Sequence, residues 1–271
     1  MCESFGFRTN VYYAYFQKTS KLSKNAEFDK TVLGIFGRHK RRYGTRRIVE
    51  ELKDDGLHVG RTKVRSTLKK YGLKAIQPKS FVPKTTRSNP GMIRSPNLLL
   101  DREAPRKPNE VWVGDITYLP LQDGSWAYLS TWLDLYSHMI VGWLVGETLE
   151  EELVVDSFTK GLKNRSPVDK LIVHSDGGGQ YGSKSFRKII LANNFKQSMT
   201  RRDNHYDNAT AESFYSRLKA EELQGGKYRD IEDARSRCFE YIEGYYNTIR
   251  KHSSIGYKSP LKFEREYEEE I

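Results

Sequence analysis

Cysteine is almost missing from this chain: Cys2 and Cys238 are the two thiols in 271 residues. Two cysteines make neither a disulfide framework nor a cysteine-rich zinc module, so a reducing compartment, the cytoplasm, is expected. Long apolar runs are missing as well. None approaches the roughly 18–20 residues that cross a bilayer, so no membrane partner is expected. The opening Met1-Cys2-Glu3-Ser4 lacks a basic stretch leading into an apolar core, and no secretory leader is expected. Internal repeats are absent too. What remains, 37% hydrophobic and 30% charged residues, is the composition of a soluble globular protein, long enough for one large domain or two smaller ones.

Acid is scarce in the first part of the chain. Residues 1–108 hold 25 Lys and Arg against 9 Asp and Glu, a balance of +16, whereas residues 109–271 hold 21 against 26, a balance of −5. A basic half joined to a mildly acidic half points to a polyanion-binding module beside one that uses a metal.

Residues 3–17 are rich in Phe and Tyr, and Thr9-Asn10 can cap a helix from Val11 to Lys18. The polar, Lys-rich residues 18–30 read as a loop. From Phe28, the spacing of Phe28, Val32, Ile35 and Phe36 predicts a helix that stops at Tyr43-Gly44. A second helix, Thr45 to Asp54, turns Ile48 and Leu52 inward and stops at Gly56. A third, Arg61 to Lys70, turns Val64 and Leu68 inward and stops at Gly72. Two short helices joined through Gly56-Leu57-His58-Val59-Gly60 make a helix-turn-helix pattern. The later helix carries Arg61, Lys63, Arg65, Lys69 and Lys70, a density suited to phosphates and, for some of them, to base edges in a major groove. An ordinary helical hairpin with a solvated basic face fits the same residues. Residues 1–75 are thus expected to form a small all-α DNA-binding region. Pro78, Pro83, Pro90, Pro96, Pro105 and Pro108 then break all regularity, with Lys79, Lys84, Arg87 and Arg94 among them. Residues 76–108 read as an extended basic linker laid along DNA.

From residue 109 the texture changes. Val111 to Leu119 is a strand, Gln122-Asp123-Gly124-Ser125 a hairpin turn, Trp126 to Leu135 a second strand and His138 to Val145 a third. A helix from Glu150 to Leu162, a strand at Leu171–Val173, a helix from Ser183 to Ala192 and a short strand at Phe195–Met199 follow. A helix through Glu212 and a last one from about Ile231 to Asn247 complete the pattern. Three antiparallel strands followed by helix-strand-helix-strand-helix give an α/β fold of the ribonuclease-H type with a mixed five-stranded sheet.

Three acids stand out in it. Leu171-Ile172-Val173-His174-Ser175-Asp176 is an apolar strand that ends on an acid and breaks into Gly177-Gly178-Gly179. Open α/β sheets place their sites at such carboxyl ends. Asn208 can cap the next helix, where Ala211, Phe214, Tyr215 and Leu218 share one face and Glu212 lies on its edge. Asp115 stands in an apolar strand, where a lone carboxylate is costly unless a metal, backbone groups or an arginine relieves it. Carboxylates that meet in a cleft repel one another unless a cation sits between them, and hard oxygen ligands suit Mg²⁺ or Mn²⁺. His174, opposite Val173 in its strand, is assigned to packing or hydrogen bonding.

Asp115, Asp176 and Glu212, the last two separated by 35 residues, resemble the Asp-Asp-Glu triad of transposases and retroviral integrases. The flanks narrow the resemblance to the insertion sequence three (IS-three) family. They are His174-Ser175-Asp176 with Gln180-Tyr181, Tyr206-Asp207-Asn208-Ala209 with Glu212-Ser213-Phe214 and Leu218-Lys219, and Tyr246-Asn247 with Arg250, His252, Gly256-Tyr257 and Pro260. The Tyr43-Gly44-Thr45-Arg46-Arg47-Ile48 stretch resembles that family's helix-turn-helix, so nearly the whole chain is covered.

The resemblance implies an integrase-type catalytic core with a helical tail in residues 109–271. It implies a transposase that cleaves and joins DNA strands, with the three acids holding two divalent ions, Mg²⁺ or Mn²⁺, once DNA is bound. No covalent protein–DNA intermediate is needed. The implied partners are the element's ends and its target DNA, further copies of the chain assembled on that DNA, and the product of an upstream reading frame joined as a frameshift fusion. The implied location is the bacterial cytoplasm, at the nucleoid. Lys219 lies seven residues after Glu212 on a helix expected to run unbroken to about Glu222, and would hold a phosphate of the element's end. Asn208 would do so from the helix N-terminus. A solvated lysine is the other reading of Lys219. Asp134 falls where the integrase pattern has no ligand and is left structural. Gly177-Gly178-Gly179 departs from the family, which usually carries a larger side chain there, as does Asp203-Asn204-His205, where relatives often have Gly and Cys. Both departures bear on loop rigidity and DNA-end contacts, not on the acids. A catalytically inactive or repurposed DNA-binding relative is the alternative; a ribonuclease-H nuclease, which usually needs a fourth acid and no helix-turn-helix arm, is a third reading, and strand transfer in vitro separates all three.

Overall fold

The structure, a computed structural model, describes residues 9–77, 94–100, 102–167, 170–201 and 209–270. The chain divides into two compact units, Met1–Gln77 and Pro78–Ile271.

The first unit holds α1 (Thr9–Arg38), α2 (Thr45–Asp54) and α3 (Arg61–Lys70). α1 is one helix of 30 residues, where a loop over 18–30 was expected. That stretch contains neither Gly nor Pro, and its Lys, Glu and Ala residues favour helix once a flanking helix has nucleated. Val32, Ile35 and Phe36 of α1, Ile48 and Leu52 of α2, and Val64 and Leu68 of α3 are all buried. This is the expected apolar spacing. The buried Asp29 of α1 ties down α3, accepting from Thr67 Oγ1 at 2.7 Å and Lys70 Nζ at 2.7 Å. Gly56 ends α2 at φ +78°, the left-handed region that glycine enters without steric cost.

The second unit is built on a five-stranded sheet in the order β3-β2-β1-β4-β5. Its strands are β1 (Val111–Pro120), β2 (Trp126–Asp134), β3 (Ile140–Gly146), β4 (Ile172–Ser175) and β5 (Lys196–Met199). β1, β2 and β3 pair antiparallel, whereas β4 and β5 join β1 in parallel. The helices are α4 (Glu151–Arg165), α5 (Lys184–Ala192), α6 (Ala209–Leu218), α7 (Ile231–Tyr241) and α8 (Pro260–Glu269). Alternation along β1 splits its residues between two faces. Trp112 joins Trp132, Val154 and Phe158 of α4 and Phe186 and Ile190 of α5 in the larger core. Val111 and Val113 join Ile172 and Ala211 of α6 in the smaller one. Asp115 follows that second parity, toward α6.

α4 approaches β3 closely because both contribute glycine. A Cβ on Gly142 would strike the Ser157 carbonyl oxygen and stand 2.8 Å from the Gly161 nitrogen. Part of the Pro-rich segment is docked on the sheet. Ser95 Oγ donates to Gln197 at 2.9 Å, the Leu98 N–H to Ser198 Oγ at 2.9 Å, and the Met199 N–H to the Pro96 carbonyl at 3.3 Å. The last of these bonds occupies a backbone N–H of β5, the edge strand, and the other two anchor the strip through β5 side chains.

The glycine contact yields a paired test. Gly142→Ala should cost about 1–3 kcal/mol, because its methyl meets backbone that cannot yield. Gly244→Ala, with nothing within 4 Å of the added carbon, should be neutral or stabilising by up to about 1 kcal/mol. Urea midpoints at constant m-value read both, and equal midpoints would contradict the close α4–β3 approach.

Candidate active site

The parallel pairing of β1 with β4 sets the site. Its register runs Val113 with His174 and Gly114 with Ser175, where β4 ends. The next residue along β1 is Asp115, and the first residue past the end of β4 is Asp176. Two carboxylates thus arrive side by side at a strand's carboxyl end, with the Gly-rich loop opening beyond them.

Each Asp has one backbone donor. Asp115 Oδ1 accepts from the Ile116 N–H at 2.8 Å, and Asp176 Oδ1 from the Gly178 N–H at 2.9 Å. Burial, and then the charge of Asp176, hold the Asp115 carboxyl well above the usual carboxylate range, against the pull of the Ile116 N–H. The Glu212 charge pushes the same way and the Lys219 charge opposes it. Burial also raises Asp176, offset by the Gly178 N–H and by Arg94.

Glu212 sits in the first turn of α6 and is exposed. Its helix is fixed to the sheet by Tyr215, one turn further along. The Tyr215 hydroxyl donates to the Asp115 carbonyl oxygen and lies 2.7 Å from Thr131 Oγ1 on β2. The expected apolar face of α6 is present, with Ala211, Phe214, Tyr215 and Leu218 buried. The hydroxyl's partners lie 100 and 84 residues back in the chain, and helical spacing carries no sign of them. Among the described residues, no group of three or more His, Cys, Asp or Glu stands ready to hold a metal ion.

α6 does not run unbroken to Glu222. It ends at Leu218 and widens into a π-helical turn, Lys219–Leu223. Glu221 inside that turn is buried and accepts from Arg250 at 2.7 and 3.0 Å and from the Tyr241 hydroxyl at 2.9 Å. These contacts hold the widened turn. Lys219 is half-buried rather than fully solvated; burial lowers its ammonium pKa, and the Asp115 charge opposes that shift.

Of the remaining candidates, Arg61, Lys63, Arg65 and Lys69 are exposed on α3, with Lys63 Nζ 4.1 Å from the centroid of the Phe28 ring. Asn208 lies outside the described residues. His174 is fully buried, its Nδ1 2.8 Å from Ser198 Oγ. Asp134 holds a turn, accepting from the Asn109 N–H at 2.6 Å and the Tyr136 N–H at 2.9 Å.

The chain is similar to known proteins. The family described as Integrase core domain matches residues 105–205, a second family of that description matches 193–260, and the HTH-like domain matches 23–81. The chain is 38% identical over 270 residues to the insertion element IS600 uncharacterized 31 kDa protein of Shigella sonnei, covering 98% of each. It is 35% identical over 268 residues to the transposase InsF for insertion sequence IS3A of Escherichia coli, covering 97% of this chain and 92% of that one. A chain of the simian T-cell lymphotropic virus intasome, solved in complex with PP2A regulatory subunit B56 gamma, shares the fold. The TM-score is 0.50 at 14% identity, over 80% of this chain and 70% of that chain.

Tyr215→Phe isolates the hydroxyl clamp. Loss of a buried hydrogen bond that leaves the Asp115 carbonyl unsatisfied should cost about 1–2 kcal/mol in urea unfolding. A variant as stable as the parent would show that the hydroxyl does not tie α6 to β1.

Proposed function

The chain belongs to the insertion-sequence transposases of the IS-three type, and from that premise we propose that Asp115, Asp176 and Glu212 are its catalytic, metal-binding acids. The enzyme is a polynucleotidyl transferase that cleaves DNA strands and joins them to a target. The observation that carries this reading is the β1–β4 register, which leads to Asp115 and Asp176 as neighbours while Glu212 acts electrostatically on the same carboxyl. The donor set fits a hard divalent cation: three carboxylates, two of them on adjacent strands, and no sulfur. Mg²⁺ or Mn²⁺, two ions in the DNA complex, would be held by those three side chains and would supply Lewis-acid activation of water or a DNA 3′-hydroxyl.

The protein's own contribution is placement. Asp115 and Asp176 ride on paired strands and keep their spacing. Glu212, exposed on a helix tied to β1 by Tyr215, closes the acid set from the α6 side. Lys219, and Asn208 from the start of α6, hold phosphates of the bound end. The attacking oxygen belongs to water or DNA, so no serine or tyrosine nucleophile takes part.

Residues 1–75 form the DNA-binding region, 76–108 the linker and 109–271 the catalytic core. Arg61, Lys63, Arg65 and Lys69 on α3 contact the element's ends. An element has two ends, each needing a site, so the working form is a homo-oligomer assembled on DNA.

Asp115→Asn, Asp176→Asn and Glu212→Gln should each abolish cleavage and joining of end DNA while leaving its binding within a few-fold of the parent. Near-parental joining by any one of them removes that residue from the acid set. The triple replacement Arg61→Ala, Arg65→Ala, Lys69→Ala should flatten the dependence of log affinity on log salt by about 2–3 units, one for each phosphate no longer neutralised. An unchanged slope would assign end binding elsewhere.

A further inference from the structure

The Gly177-Gly178-Gly179 loop has a counterpart that the triad does not explain. A Cβ placed on Gly177 would collide with the guanidinium of Arg94, reaching 2.7 Å from its Nε and closer still to Cζ and Nη2. The loop is bare at the position where an arginine from the Pro-rich segment lies across it. That arginine is held there by its neighbours, since Ser95, Pro96 and Leu98 are bonded to β5. Its Nη1 is buried and, among the described residues, has no hydrogen-bond partner. A buried guanidinium donor left unsatisfied is costly and calls for an explanation, of which a role at the active site is one. Its charge acts on Asp176, so the side chain belongs to the acidic site itself.

We propose that Arg94 is a phosphate-binding residue of the active site, which takes a DNA backbone phosphate next to the one being cut through the guanidinium laid over Gly177. Planar guanidinium donors match a phosphate's oxygens in a way that a lysine does not. The Pro-rich segment then contributes directly to the site. DNA that engages this residue also fixes the strip along β5.

This inference rests on the reading of Asp115, Asp176 and Glu212 as the catalytic acids, and the test separates the two. End duplexes of the element's terminal repeat are prepared with single methylphosphonates, each removing one backbone charge near the cleavage point. Binding is measured in magnesium on a Glu212→Gln background, so that the DNA is not consumed. The parent should lose about tenfold at one or two positions beside the scissile phosphate. Arg94→Ala should bind the unmodified end about tenfold more weakly and lose that positional sensitivity, with other positions unaffected. Arg94→Lys should recover part of the affinity. Gly177→Ala keeps the charge but crowds the guanidinium, and should blunt the same positions. An Arg94→Ala profile that keeps the parental pattern, with affinity lowered uniformly or not at all, overturns the proposal. Cleavage by the chain with all three acids intact is measured alongside. If it is absent, the reading of the acids fails and this inference fails with it; if it is present, the methylphosphonate profile alone decides Arg94.

Discussion

Two carboxyl groups fixed side by side on paired strands repel each other, and the core of this protein is arranged around that repulsion. Neighbouring strands run about 4.8 Å apart. Unit charges at that separation oppose each other by on the order of 3–4 kcal/mol at an effective dielectric near 20. Asp115 and Asp176 cannot separate to relieve this, because the ladder that ends at Gly114 and Ser175 holds their backbones. Each has one backbone donor, from Ile116 and from Gly178. Among the described residues, one donor apiece leaves most of the acceptor capacity of a carboxylate unused. The site is therefore built to receive positive charge, and both carboxyls hold their protons more tightly than ordinary aspartates do.

The same constraint explains why α6 is attached as it is. A third acid brought to such a pair is useful only if its helix cannot drift, and the Tyr215 hydroxyl fastens that helix to the carbonyl of Asp115 itself. Further along, the π-helical turn sets the height of Lys219. That turn depends on Glu221, whose carboxylate is enclosed by Arg250 and Tyr241. A buried ion pair of this kind gives little net stability, but losing either partner strands a charge. Its value here lies in fixing one conformation: the segment after α7 decides where Lys219 stands at the end of α6.

How much of this is legible in the chain follows from how local each signal is. Strand β4 and its acid can be read because an apolar run, an aspartate and three glycines are contiguous. The apolar faces of α2, α3 and α6 can be read because they repeat at helical spacing. Polar composition disguises the continuity of α1 through residues 18–30, although nothing in the stretch breaks a helix. The π turn is hidden because its cause, Arg250, is 29 residues from Glu221. The carbonyl that accepts from the Tyr215 hydroxyl is 100 residues away, and the fit of Arg94 over Gly177 joins a Pro-rich strip to a loop. In each case the residue is visible and its partner is not, since long-range pairing leaves no periodic trace.

The division of charge along the chain then acquires a physical reason. A cluster of acids repels phosphates, and residues 109–271 carry a net −5. If the proposed DNA chemistry holds, attraction over distance comes from elsewhere, and the +16 of residues 1–108 would supply it through counterion release along the duplex. Close to the acids, positive charge must be sparse and held in a fixed direction, because each added cation weakens the negative field of the carboxyl groups. Lys219 and Arg94 meet that condition. One stands on a widened turn and the other on a strip bonded to the sheet edge, so each charge, which acts on one of the two aspartates, is held in place by backbone. On that reading affinity and chemistry fall to different parts of the sequence, and the positive charge beside the acids is that of Lys219 and Arg94, each held by its backbone.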